Sequence, residues 1–410
     1  MRYLIHDFAG HPFQVQLSRQ LAIEGHEVIH VYPAGLPGPK GRLTKCAGDS
    51  ERLTIVAIPL SGHFQKYSPV RRFIAQRTYA RDLKALISRE APDVVLSGNT
   101  PVDIQAELLW CCRKRGIGFV HWVQDVYYRA VEFFLRRKLG ALSTIVTAPL
   151  RLLEKSIAAH SDSVIVISPD FRQLMAAWGV ALSKLTVIEN WAPLEEVPLV
   201  SRQNDWSEEH GFRDVPVLLY SGTLGVKHRP DLLHLLAREL DGICRVVVVT
   251  DGFGKDYLAQ MPPLENLTVL GFQPYERVPE VLASADVLLA TLEADAGQFA
   301  VPSKILTYLC AGRPLLLAGP KSNLAAKIVE RSGAGIVVDP GDAGAWVKSA
   351  RKLLGSSTYR AELGANARRY AEQTFDIAHI AAAFDRVLAA ACHHSQPTAS
   401  SSPLPVTFQN

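Results

Sequence analysis

Within its first 32 residues the chain spells out a strand, a helix and a second strand. Tyr3-Leu4-Ile5 is followed by PFQVQLSRQLAIEG, with apolar residues at 13, 17, 21 and 23, and then by HEVIHVYP. Two strands joined through a helix cannot form a tight hairpin, so the chain crosses over and lays the second strand parallel to the first. The same pattern restarts at VPVLLYSGTLGVKHRPDLLHLLA and runs on through RVVVVTDGFGKDYL, NLTVLGFQP, ADVLLATLEAD and GAGIVVDPGD. Alternation in both halves predicts an α/β protein of two doubly wound, Rossmann-like domains rather than a small-unit repeat. A chain of 410 residues has room for two such domains.

The stretch GQFAVPSKILTYLCAGRPLLLAG, Gly297 to Gly319, is a loop, a helix and a buried strand in succession. Pro302 suits a first helical turn, because it lacks an N–H that would be unpaired there anyway. Ser303 and Lys304 follow at the helix's positive end, where an anion is favoured. Ala311-Gly312 ends the helix, Pro314 prevents its restart, and Leu315 to Leu317 form an apolar strand. The unit suits a phosphate-bearing ligand and equally an ordinary α/β connection.

Hydrophobic residues make up 48% and charged residues 20% of the chain, the balance of a soluble globular protein with sizeable cores. The six cysteines form no CxxC and no Cys/His cluster, which suggests reduced thiols in a cytosolic protein. The N-terminus reads directly as a strand without a signal-peptide pattern, and no apolar run reaches membrane-spanning length. Residues 1–190 hold 24 Lys/Arg against 16 Asp/Glu, so the basic half faces an acidic partner surface.

Two basic clusters stand out in that half. From Lys66 to Arg81 there is no acid but Arg71, Arg72 and Arg77, interleaved with Tyr67, Phe73 and Tyr79 and preceded by Phe64. A solvated helix face, an anionic membrane surface and nucleic acid all fit such a segment, though no nucleic-acid-binding motif accompanies it. Arg136-Arg137-Lys138 is the second cluster. Between the clusters, HWVQD closes a strand with His121, Gln124 and Asp125 at its carboxyl end, where open α/β sheets bind ligands. Asp125 would act on a substrate or cap the next helix; His121, beside Trp122, would act or pack in the core.

Three loops of the second half converge on one need. Ser221 to Lys227 offers Gly222 where backbone must approach a ligand, the hydroxyl of Thr223 and the cation of Lys227. Asp251-Gly252-Phe253-Gly254 is a tight turn after four valines, and Leu270-Gly271-Phe272 offers an apolar side chain against which a nucleobase would pack. With Ser303 and Lys304, a pyrophosphate would be bracketed by two lysines and a helix end.

In this order, IHDFAGHPFQVQLSRQLAIEGHEV, HWVQD, VIENWAP, YSGTLGVK, TDGFGKDYL, LGFQPYERVPEVLASADVLLA and VPSKILTYLCAGRPLLL resemble glycosyltransferase family 4, the retaining GT-B enzymes. The bacterial branch that builds exopolysaccharide and O-antigen units is the most similar. The resemblance implies a GT-B fold, two Rossmann-like domains facing across a cleft. Residues 1–195 would bind the acceptor and 196–376 the nucleotide-sugar donor, with a linker at 192–214. The helix 377–391 would pack back on the first domain, and 393–410, rich in Ser, Pro and Thr, would be a disordered tail.

The implied activity is retaining transfer from a nucleotide diphosphate sugar to a glycan or polyprenyl-diphosphate-linked acceptor. The enzyme would work at the inner face of the cytoplasmic membrane in cell-surface polysaccharide synthesis, bound to an anionic membrane surface and without nucleic acid. A GT-B nucleotide-sugar 2-epimerase and a non-catalytic nucleotide-sugar-binding protein are the alternatives. Asp125 and His121 would serve catalysis, and Gly10, His11, Arg71 and Arg72 the acceptor. Gly222, Thr223, Lys227, Gly252, Phe272, Ser303, Lys304 and Thr307 would serve the donor.

The chain departs from the family pattern at several of these positions. The usual glutamate pair falls on Phe299 and Thr307, so Glu293 or Asp295 would take over the donor-sugar contact. Thr223 stands where an Arg is common, which leaves Lys227 and Lys304 as phosphate cations. No DxD motif occurs, so no obligatory metal and no cofactor are expected.

Overall fold

A computed structural model of the chain describes residues 1–36, 40–60, 69–225, 227–294 and 303–395, with the backbone alone at 69–73, 134, 137 and 393–395. The first sheet holds β1 (Arg2–Asp7), β2 (Glu27–Ala34), β3 (Leu53–Pro59), β4 (Val94–Gly98), β5 (Gly118–Val123), β6 (Ser163–Val166) and β7 (Leu185–Val187). Its order is β3-β2-β1-β4-β5-β6-β7. The second sheet holds β8 (Val217–Ser221), β9 (Arg245–Val249), β10 (Leu267–Leu270), β11 (Val287–Thr291), β12 (Leu315–Ala318) and β13 (Gly335–Val338), in the order β10-β9-β8-β11-β12-β13.

Every strand pairing is parallel: Ile5 lies beside His30 and Leu96, and Leu288 beside Leu219 and Leu315. Helices cover both faces, which is why the central strands are apolar at successive positions instead of alternating. Ile5, Leu96 and Val120 in the first sheet and Val247, Leu288 and Leu317 in the second are all buried. In each sheet the strand order reverses beside the first strand, between β1 and β4 and between β8 and β11. Loops diverge at that point and leave a crevice at the strands' carboxyl ends.

The final helix, Ile377–Ser395, returns to the first sheet and packs on β5 and on the helix Pro12–Ile23. Phe384 meets Trp122 at 4.7 Å and Trp191 at 5.8 Å between ring centres. This approach depends on Gly118, because a Cβ there would sit 2.9 Å from the carbonyl oxygen of Ala391. Gln16 ties the connection between domains, accepting from Trp191 Nε1 at 2.7 Å and donating to Glu195 at 2.8 Å. Among the described residues, Lys327 pairs with Asp170 at 2.7 Å and Arg331 with Glu189 across the two domains.

The linker stretch 192–214 contains a short helix, Asp205–Glu209, closed by a capping box between Asn204 and Ser207. Its Trp206 is buried and donates to Gln273 at 3.1 Å. Five residues are too few to show a hydrophobic period, although Asn204 three residues before Ser207 was a readable cap. The last helix runs to Ser395 instead of ending at 391, and the tail beyond it lies outside the described residues.

Gly118→Ala should force the last helix off β5 and destabilise the protein by about 1–3 kcal/mol, read from the urea midpoint.

Candidate functional site

The donor-side loop is held by two tyrosines. Tyr308 lies on the helix Lys304–Cys310; its hydroxyl accepts the Ser221 N–H and donates to the Ser221 carbonyl, both at 2.9 Å. That pins the helix to the end of β8. One turn earlier on the same helix, Lys304 reaches over the loop, where its ammonium donates to the Tyr220 hydroxyl and to the Thr223 carbonyl at 3.1 Å. It also lies 3.7 Å from the Tyr220 ring centre, within cation–π range.

Gly222 has φ +119°, a conformation that favours glycine, and Lys304 Cε packs over it at ordinary contact distance. Burial holds the Lys304 pKa well below the usual lysine value, and the neighbouring Lys227 lowers it further. His228 is pushed down to about 3 by burial and then by Lys304 and Lys227. It is therefore a neutral imidazole, whose Nδ1 accepts the Gly225 N–H at 3.0 Å and locks the loop.

The other expected donor residues lie around this loop. Gly252 (φ +72°) precedes the helix Phe253–Ala259, and Gly254 lies against Leu224 of the lysine loop. The Phe272 N–H donates to Asp251 at 2.7 Å, which leaves its ring half-buried at the next strand end. The Glu293 N–H donates to the Lys227 carbonyl at 2.9 Å, and the Arg229 pKa is raised chiefly by its hydrogen-bonded Asp231, with Glu293 adding to it. Ser303 is exposed at the helix start, and Thr307 is half-buried one turn on. Asp295 lies outside the described residues.

On the first domain, Asp7 at the end of β1 is buried and shapes the loop after it. Its carboxylate accepts the N–H groups of Ala9 at 2.9 Å and His11 at 2.5 Å, with Gly10 between them at φ +75°. The His11 ring stacks on Phe13 at 5.4 Å. Arg71 and Arg72 fall in the helix Pro69–Glu90, with their side chains outside the described set.

Asp125 follows β5 and is reached by solvent. Its pKa is raised by burial within the cleft and drawn down by Lys227 and His11. Lys227 of the second domain thus lies within electrostatic reach of Asp125 of the first. Asp125 does not cap the following helix, Tyr127–Leu139. The N–H groups of Tyr127 and Tyr128 go instead to Glu154, at 2.8 and 2.7 Å.

His121, Gln124 and Asp125 line a cavity of about 260 Å³ together with Phe8, Asn99, Thr100 and Glu154. Burial pushes the His121 pKa down to about 4, and its Nδ1 has no hydrogen-bond partner among the described residues. The same is true of Nδ2 of Asn99, held at φ +53°. Gln124 and Asn190 exchange hydrogen bonds at 3.2 and 2.5 Å, fixing the Gln124 amide.

Sequence reasoning missed Tyr220, Tyr308, His228, Asn99 and Glu154. Glu154 alone left a trace, as the acid that ends a run of 21 residues free of acids. The rest act through contacts made only after folding.

Residues 14–196 match the model of Glycosyltransferase Family 4, and residues 215–356 match that of Glycosyl transferases group 1. The chain belongs to the GT4-type GT-B glycosyltransferases. It is 26% identical over 260 residues to the probable glycosyltransferase WbjE of Pseudomonas aeruginosa. That alignment covers 61% of this chain and 63% of WbjE, less than two thirds of the relative's length.

Among solved structures, sucrose-phosphate synthase of Thermosynechococcus elongatus superposes with a TM-score of 0.70 at 16% identity, covering 94% of this chain and 98% of that one. HepE of Anabaena, in complex with UDP and glucose, gives 0.67 at 15% identity over 95% and 99%. WaaG, a glycosyltransferase involved in lipopolysaccharide biosynthesis, gives 0.66 at 15% identity over 95% and 99%. These likenesses establish the GT-B fold, and the Gly222–Lys227 loop and the Lys304 helix fall in its second domain.

Two titrations follow from the geometry. A polyanion raises the lowered Lys304 pKa, so binding of a nucleotide diphosphate should take up protons and weaken with rising pH. Calorimetry in buffers of different ionisation enthalpy should show that uptake, and Lys304→Met should abolish it. Burial raises the Glu154 pKa from 4.5 to about 7. Between those values the unfolded chain has lost a proton that the fold retains, so stability falls as pH rises. Glu154→Gln should flatten that slope in denaturant midpoints measured from pH 4.5 to 7.

Proposed function

We propose that this chain transfers a sugar, with retention at the anomeric carbon, from a nucleotide diphosphate sugar to a polyprenyl-diphosphate-linked or glycan acceptor. The observation that carries the reading is the opposition of charge across the cleft. Lys227, beside Lys304 at the carboxyl edge of the second sheet, lies near enough to Asp125 at the edge of the first to draw its pKa down against burial. UDP and UDP-glucose complexes of HepE support a nucleotide-sugar donor, and the lipopolysaccharide role of WaaG supports an acceptor in cell-surface polysaccharide synthesis.

In this reading the diphosphate lies across Gly222 and Thr223, between Lys227 and Lys304. As the glycosidic bond to the donor breaks, charge grows on a phosphate oxygen. The two ammonium groups stabilise that charge more in the transition state than in the bound donor. Lys304 gains most, since the anion replaces the water that burial removed. Asp125 receives or orients the acceptor hydroxyl proton, and its raised pKa suits it to accept one. Glu293 takes the donor-sugar contact that Phe299 and Thr307 cannot make. No metal is obligatory, and the protein works at the inner face of the cytoplasmic membrane against anionic lipid.

A thermal-shift screen against nucleotides and nucleotide sugars, in EDTA and then in Mg²⁺, tests the donor site. A ligand at 100 times its Kd stabilises by about 2.7 kcal/mol, a resolvable shift. One nucleotide diphosphate should stabilise the protein equally in EDTA, and no response to any of them would remove the enzyme reading. With the donor found, Asp125→Asn should lower kcat about 10²-fold or more while leaving that shift intact. Binding without transfer by the unaltered protein would leave a non-catalytic nucleotide-sugar-binding role.

A further inference from the structure

The helical hairpin of Tyr127–Leu139 and Leu142–His160 is built inside out at its tip. Ser143 and Thr147 face the protein, and their hydroxyls are satisfied locally by the carbonyls of Gly140 at 2.7 Å and Ser143 at 2.9 Å. Glu154, also buried, accepts the two N–H groups at the start of the partner helix. On the opposite side Leu142, Ile145, Val146 and Leu152 are 61, 70, 55 and 62% exposed. With the exposed Pro149 they form one continuous stripe at helical spacing, and Leu139 extends it across the turn.

A helix on a water-soluble surface turns such a stripe inward. Here it points out, and a contiguous exposed apolar surface marks a place of interaction. Other exposed apolar residues, such as Ile23, Leu182 and Phe253, lie on separate elements.

Charge decides the partner. Between Glu132 and Glu154 the chain carries no acid and four basic residues, Arg136, Arg137, Lys138 and Arg151. Arg136, Lys138 and Arg151 are exposed beside the stripe, with Lys155 one turn beyond. The Glu132 carboxylate on the rim accepts from the Thr144 hydroxyl at 2.9 Å. A second copy docked on this face would set like charge against like. An anionic bilayer accepts both parts, apolar side chains at the acyl boundary and cations at the phosphates.

We propose that the tip of this hairpin, Leu139 to Leu152, is the surface that seats the protein on anionic lipid. This deepens the proposed function, and rests on it only for what the lipid carries. Tyr127 and Glu154 line the cavity beside Asp125, while Leu139 lies at the far end of the 13-residue helix. At 1.5 Å per residue that is about 20 Å, the reach from bilayer surface to cleft along one rigid element.

Flotation of the full chain with vesicles of phosphatidylcholine and phosphatidylglycerol (3:1), against phosphatidylcholine alone, tests the proposal. The unaltered protein should float with the anionic vesicles and be released by high salt. Ile145→Glu/Val146→Glu should lower the bound fraction at least tenfold, Arg136→Gln/Arg151→Gln several-fold, and Arg71→Gln/Arg72→Gln little. Amide exchange should slow across 139–152 on vesicles.

Unchanged flotation of Ile145→Glu/Val146→Glu would overturn the proposal, as would exchange protection confined to 69–90. So would a dimer of the unaltered chain in sedimentation velocity that this variant abolishes. The nucleotide thermal shift, measured on the same preparations, reports folding and separates the two readings. A retained shift without flotation removes the lipid surface alone, and flotation without a shift removes the donor site alone.

Discussion

A parallel ladder offers no short way back: each strand must be followed by a crossover before the next can pair. Everything functional here depends on that constraint. The crossovers cover both sheet faces with helices, so the central strands are apolar throughout and the interior holds little usable polarity. Polar and charged groups collect at the strands' carboxyl ends, where the chain turns before each helix. Asp7, Asp125, Ser221 and Asp251 all sit at such ends, and the two domains bring two such edges together. The last helix, held by Trp122, Trp191 and Phe384, then ties the end of the chain to its first sheet.

Within the cleft, the charges are individually uncomfortable and collectively matched. Lys304 is drawn out of water onto a tyrosine hydroxyl and a backbone carbonyl, with a second lysine near enough to lower its pKa further. Asp125, at the mouth of the cleft, is pushed toward its neutral form by desolvation, and Lys227 and His11 counter this. A bound diphosphate would relieve the lysines, and an acceptor hydroxyl would give the carboxylate a proton to receive. In the proposed reading, with Phe299 and Thr307 at the positions of the family's glutamates, cations and loop backbone would hold the donor.

The hairpin after Asp125 shows polarity inverted for a purpose. Its inward serine and threonine bond to nearby carbonyls, and its glutamate accepts two N–H groups of the partner helix, supplying the cap that Asp125 would otherwise provide. Asp125 thereby stays available to the cleft, and the apolar stripe is left for a partner outside the protein. One carboxylate links the two roles.

By itself the sequence determined the fold class, the doubling of the α/β unit, the loops that carry Gly222, Lys227 and Lys304, and the position of Asp125 and His121 at a strand end. These are local properties: hydrophobic period, glycine placement and the residues that follow a strand. Tertiary structure alone decided that Tyr308 pins the Lys304 helix to β8 and that Glu154, from 26 residues away, caps the helix Asp125 seemed placed to cap. It also decided which side of the Leu142–His160 helix meets water. Composition left 64–81 open between a solvated face, lipid and nucleic acid and did not single out the Leu142–His160 stripe, because periodicity shows that a helix has two faces and only packing assigns one of them to the interior.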